Sequence, residues 1–251
     1  MTPISSNHSD QQGFSLIELA IVLFIVALLL GGLLVPLTAQ IDQQRTNETQ
    51  KTLAEIKDAL IGFAIINGRL PCPASDTTFG EEDPVVVTGT CSHPYDGFVP
   101  AATLGFTTGV DSQGRKGFAV DSWGNRIHYA VTQASGKAFT TTNYMSTYFS
   151  TLAPDLFVCS TASASATNCS VANSALTSTG VPVVIYSTGK NGAYGGTGSD
   201  EAANPNPNST NNDRVFVSHT PTPSPNEFDD LVIWISPNIL INRMVSAGKL
   251  P

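Results

Sequence analysis

Residues 19–35 carry no charge, and a carboxylate, Glu18, stands immediately before them. An apolar helix of about 17–25 residues is what a bilayer core demands. Away from lipid, the same segment would need apolar cover on every side. Glu18 tightens the constraint, because a carboxylate within an apolar span costs roughly 2.5–3.5 kcal/mol on insertion scales. It needs a positive partner, and no Lys or Arg occurs between Met1 and Gln44. A secretory signal peptide is the competing reading. Against it stand an apolar stretch that is too long, a start without basic residues and the lack of a small-residue cleavage site after Val35.

The run Gly13-Phe14-Ser15-Leu16-Ile17-Glu18-Leu19 resembles the prepilin cleavage and methylation signature of type IV pilins and type II secretion pseudopilins. The resemblance implies that a prepilin peptidase cuts between Gly13 and Phe14 and that the new Phe14 amine is N-methylated. It also implies that Glu18 pairs with the Phe14 amine of a neighbouring subunit during filament assembly. That role agrees with electrostatics, since a buried charge is tolerable when paired and expensive when its partner is removed. The N-terminus is then cytoplasmic and the remainder periplasmic in a bacterial inner membrane. Lipid, other pilin-like subunits and an inner-membrane assembly platform are the implied partners.

Beyond the apolar run, Gly31-Gly32 and Pro36 favour a kink or a stop. The helix is expected to continue past them. Leu53, Ile56, Leu60, Phe63 and Ala64 recur at helical spacing and give one apolar face. Asn67-Gly68 supplies a left-handed cap, and Pro71 prevents resumption. A helix over residues 14–66 would be roughly 80 Å long at 1.5 Å per residue. The expected organisation is a leader (1–13), a membrane or filament-core helix (14–36), its amphipathic second half (37–68) and a head (69–251). The expected class is α+β, with the long helix packed on a small antiparallel sheet carrying long loops.

Within the head, residues 126–132 alternate, with Ile127, Tyr129 and Val131 on one face and His128 on the other, where solvent is expected. Residues 181–186 form a short apolar strand whose Pro182 argues for an edge or a strand start. Val215–Val217 reads as a weak strand. Leu231–Ile235 reads as the best one, and its lack of alternation suggests burial on both faces. Residues 237–247 read as a closing helix stopped by Gly248. Residues 160–180 and 192–213 read as Ser/Thr/Asn/Gly loops.

Charged residues are 13% of the chain, against about 25% in typical soluble domains. The net charge of −8 disfavours a nucleic-acid partner. Cys72, Cys91, Cys159 and Cys169 contain no CxxC and allow three disulfide connectivities, of which the two local pairs suit an exported domain. No hydrolase, zinc or nucleotide motif is present, so the chain reads as a non-enzyme.

Asp121-Ser122-Trp123-Gly124-Asn125 resembles the D-P-W-G-N turn of pseudopilins, with Ser122 in place of Pro, and Trp123 is expected to lie on the core as a lid. Ser187-Thr188-Gly189-Lys190-Asn191-Gly192 resembles the S-x-G-x-D-G loop beside the calcium site of major pseudopilins, with Asn191 in place of Asp. Asp200, Glu201, Asp213, Asp229 and Asp230 are candidate calcium ligands, since Ca²⁺ needs 6–8 oxygens. A solvated acidic loop is the alternative, and Asp229-Asp230 can equally form a turn before the last strand. The expected function is a structural filament subunit, a minor pilin or pseudopilin. The alternative is an adhesin or ligand-binding head on the same stalk, using the loops 160–180 and 192–213.

Overall fold

The computed structural model describes residues 15–84, 89–192, 198–205 and 213–251, apart from the side chains of 30–37. The predicted processing residues Gly13 and Phe14 lie outside this set. In chain order the elements are α1 (Leu16–Asn67), β1 (Gly97–Phe98), α2 (Ala101–Leu104), β2 (Gly109–Val110), β3 (Lys116–Phe118) and β4 (His128–Val131). There follow α3 (Ala134–Lys137), α4 (Tyr144–Thr147), β5 (Phe157–Cys159), β6 (Val183–Ser187), α5 (Ser199–Ala202), β7 (Val215–Val217), β8 (Leu231–Ile235) and α6 (Pro237–Ser246).

The chain forms two compact units that divide between Gln44 and Arg45. The first contains the apolar part of α1. Leu16, Ile17, Phe24 and Leu28 are all more than half exposed there. Among the described residues, no helix is long and apolar enough to cross a membrane. The charge-free run reaches residues 30–37, whose side chains are not described.

The second unit is built on the rest of α1. Thr49, Leu53, Ile56, Leu60 and Ala64 are fully buried, at successive steps of three or four residues. Their core partners include Tyr129, Val131, Val183, Ile185 and Ile235 from the sheet. Each buried Leu or Ile here is worth about 1.5–3 kcal/mol. The helix ends as its sequence dictates: Gly68 takes φ +67°, and its N–H donates to Ala64 O at 2.9 Å.

The sheet is antiparallel with strand order β1-β4-β6-β8. Its far face carries Ala130, Val184 and Tyr186, which pack with Leu156, Val158 and Phe216. The last two belong to a parallel ribbon, β5 beside β7, that the single antiparallel sheet read from sequence did not include. Three-residue strands held by distant chain segments leave little periodicity to detect.

Two strand-level expectations need correcting, and a third, which left two options open, resolves. Leu231–Ile235 is covered on both faces only in part. It is an edge strand paired with β6, and only Ile235 is fully buried. Its unbroken apolar run arises because Ile233 and Val232 each meet a different core cluster, one on either face. Of the edge or strand start that Pro182 suggested, the strand start holds, for β6 begins at Val183 and is central and wholly buried. His128 does face away from the α1 side, but it is half-buried rather than exposed. It stacks on Tyr186 at 4.6 Å and lies 4.9 Å from Phe98.

Candidate functional site

Two places carry the predicted chemistry. At the start of α1, the Ser15 N–H donates to Glu18 Oε2 and the Glu18 N–H donates to Ser15 Oγ, each at 3.3 Å. This reciprocal pair is a capping box, which satisfies two of the amides that a helix start leaves open. Glu18 is exposed among exposed apolar neighbours. The candidate disulfide residues form the two local pairs, Cys72–Cys91 and Cys159–Cys169.

The second place is a carboxylate cluster in the head. Glu201 from α5 meets Asp229 and Asp230, which immediately precede β8. One carboxylate oxygen from each lies within 4.8 Å of the others. Glu201 and Asp230 are buried, and Asp229 is half-buried. Asp200 and Asp213, the other two candidates, point elsewhere. Asp200 accepts from Thr161 Oγ1 at 3.0 Å and from the Ala162 N–H at 2.6 Å, and lies 3.3 Å from His219 Nε2. Asp213 accepts from the Val215 N–H at 3.0 Å.

The surrounding turns position the cluster. Asp229 Oδ2 accepts from the backbone N–H groups of Lys190 and Asn191, at 2.9 and 3.2 Å. Gly189 has φ +66°, and a Cβ there would lie 2.3 Å from Asp229 Oδ1, so only glycine permits this approach. Asn125 Nδ2 donates to Gly189 O at 2.6 Å, and Ser187 Oγ donates to Asp121 Oδ2 at 2.6 Å. The two turns singled out in the sequence therefore interlock. Trp123 is half-buried beside them. Asn204 was not foreseen. Fully buried, it donates to Asp230 Oδ2 at 2.7 Å and brackets β7 through Val217. Its only signal in the sequence was an Asn inside an acidic loop.

Electrostatics leave this cluster incomplete. Among the described residues, both Glu201 oxygens, Asp229 Oδ1, Asp230 Oδ1 and the Asn191 side-chain amide have no hydrogen-bond partner. Burial, then the negative charges of Glu201 and Asp229, push the Asp230 carboxyl up to about 8, against the Asn204 hydrogen bond. Burial and Asp229 push Glu201 up to about 7, against the neighbouring Asn191 side chain. Three crowded carboxyl groups require either protons or a cation. The unpartnered atoms are mostly oxygens, and the cluster contains neither sulfur nor imidazole, so the donor set fits a hard cation such as Ca²⁺.

No curated protein and no solved structure matches the chain. Residues 8–34 match the family model described as the prokaryotic N-terminal methylation motif, a match consistent with the signature of type IV pilins and pseudopilins.

Proposed function

We propose that this protein is a pilin-like structural subunit, a minor pilin or pseudopilin, whose work is assembly rather than turnover. The methylation motif at residues 8–34 carries this reading. A prepilin peptidase cuts after Gly13, Phe14 becomes the methylated N-terminus, and the charge-free run 19–35 holds the subunit in the inner membrane with the head in the periplasm. The exposed apolar side chains from Leu16 to Leu29 support a segment that lives against lipid and then against other subunits. Glu18 supplies the negative half of an intersubunit pair with a Phe14 amine, which makes its charge tolerable in an apolar filament core. In the head, Glu201, Asp229 and Asp230 hold a calcium ion, with the Asn191 side-chain oxygen as a further donor. The ion neutralises the cluster and joins the Ser187–Gly192 turn to the start of β8.

Mass spectrometry of protein expressed with a prepilin peptidase tests processing: the mature chain is expected to begin at a methylated Phe14. Glu18→Val is expected to leave the subunit processed but unassembled. Retention of residues 1–13, or normal filaments from Glu18→Val, overturns the reading.

A further inference from the structure

One side of the β8 backbone is left unpaired. The Thr132 N–H donates to the carbonyl of Pro182, just before β6, at 3.0 Å. That bond fixes the alternation along β6: residues 182, 184 and 186 bond towards β4, so 183, 185 and 187 bond towards β8. Their partners on β8 are Ile235, Ile233 and Leu231. The N–H and C=O groups of Val232 and Trp234 therefore point away from the sheet, and among the described residues no backbone group pairs with them. Natural sheet edges are commonly blunted by a proline, a charge or a bulge. β8 has none of these: Leu231-Val232-Ile233-Trp234-Ile235 is uncharged and keeps unbroken register with β6.

This edge opens onto a groove. Two cavities of about 380 Å³ each are both lined by Val232 and Ile233. Ile233 packs with the α1-side core and Val232 with the far-side cluster, so a space lined by both lies at the edge itself. The opposite wall is a stripe of α1, Thr46, Gln50, Leu53 and Lys57, spaced at the three- and four-residue steps of one helix face. Three ionisable groups line the two cavities. Asp230 belongs to the carboxylate cluster, and His219 lies 3.3 Å from Asp200. The third, Lys57, is half-buried and has no ion-pair partner among the described residues.

We infer that this groove binds an extended peptide segment of a partner protein, which joins the sheet as a strand antiparallel to β8 and brings an acidic side chain to Lys57. Backbone pairing satisfies the outward groups of Val232 and Trp234, and every second side chain of the guest faces the α1 wall. A second copy of β8 fits less well. Antiparallel pairing of two β8 strands is a two-fold contact, which runs the two α1 segments across the joint sheet in opposite directions. Subunits anchored by the same end of α1, as proposed above, run in one direction. β8 also carries no acid to meet Lys57. The groove gives the head a docking function separate from helix-mediated assembly and from the carboxylate cluster.

The test uses the full chain in detergent micelles and a short blocked peptide of alternating valine and threonine with one glutamate. Amide exchange is followed by NMR and affinity by calorimetry. In the free protein the Val232 and Trp234 amides are expected to exchange faster than those of Ile233 and Ile235, and the peptide is expected to slow both. The same peptide with N-methylated amides is expected not to bind, and the one with lysine for glutamate to bind about threefold more weakly. Lys57→Glu is expected to reverse that preference. Val232→Pro removes an outward N–H and leaves the bonds to β6, and is expected to weaken binding about tenfold. If circular dichroism finds Val232→Pro unfolded, Lys57→Glu decides. Protected Val232 and Trp234 amides in the free monomer, no binding at millimolar peptide, equal binding of the N-methylated peptide or an unchanged preference in Lys57→Glu overturns the inference. So does a dimer, seen by sedimentation, that protects these two amides without peptide.

Discussion

Removing divalent cations should make the head less stable as pH rises from 6.5 to 7.5. Asp230 titrates near 8 and Glu201 near 7 in the folded chain, while ordinary carboxyl groups titrate near ~4. For an acid whose folded pKa is raised, the folded state binds the extra proton, so stability is lost as pH climbs towards that pKa. A group fully protonated when folded and ionised when unfolded loses about 1.4 kcal/mol per pH unit. Over this window Asp230 contributes most of that slope and Glu201 about half, together roughly 2 kcal/mol. His128 has the opposite sign, because burial, and then the charge of Arg126, depresses its folded pKa to about 4. Its stabilisation grows as pH rises, but that growth is largely complete by about pH 6.5, where the unfolded imidazole titrates. A change of ~2 kcal/mol corresponds to a Tm decrease of about 4–8 °C in a chain of this size. The assay is thermal unfolding of the detergent-solubilised protein in chelator and in millimolar calcium, at both pH values. Calcium should raise Tm and flatten the slope, and Asp230→Asn should remove most of the slope in chelator. A Tm independent of pH in chelator, or a slope undiminished by Asp230→Asn, would refute the reasoning.

Three further outcomes are expected. Gly189→Ala forces a side chain onto φ +66° and against Asp229, so it should cost about 1–3 kcal/mol and weaken calcium binding measured by calorimetry. Glu82→Ala strands the buried Arg69 guanidinium, which donates to both Glu82 oxygens at 2.7 and 2.8 Å. Chemical denaturation should report a loss of about 3–5 kcal/mol. Ser15→Ala removes half of the capping box and should cost about 0.5–2 kcal/mol of local helix stability, visible as faster amide exchange in the first turn of α1.

The helix was legible because its signals are strong and local. The apolar face from Leu53 to Ala64 and the Asn67-Gly68 ending follow from spacing and from one permissive residue. The strands Val215–Val217 and Leu231–Ile235 were legible from β-branched runs, but their neighbours were not, because pairing is decided by distant segments. The exposure expected of His128 failed for the same reason: alternation places a side chain on a face, while its cover comes from Phe98 and Tyr186 on other strands. Of the five acidic candidates, Glu201, Asp229 and Asp230 converge. Composition marked all five alike, and only the fold of α5 against the start of β8 separates them. The open edge of β8 had no signature in the sequence, since it depends on which strand ends the sheet and on the distant stripe of α1 that walls it.

The hydrogen bonds around the D-S-W-G-N turn reach further than the turn itself. The Ser122 N–H donates to Thr49 Oγ1 on the buried face of α1, Asp121 receives Ser187 at the end of β6, and Asn125 holds Gly189 against Asp229. Five residues thus join the buried face of α1, the end of β6 and the acidic cluster. A substitution in this turn is therefore expected to disturb two places at once, the buried face of α1 at Thr49 and the approach of Gly189 to Asp229.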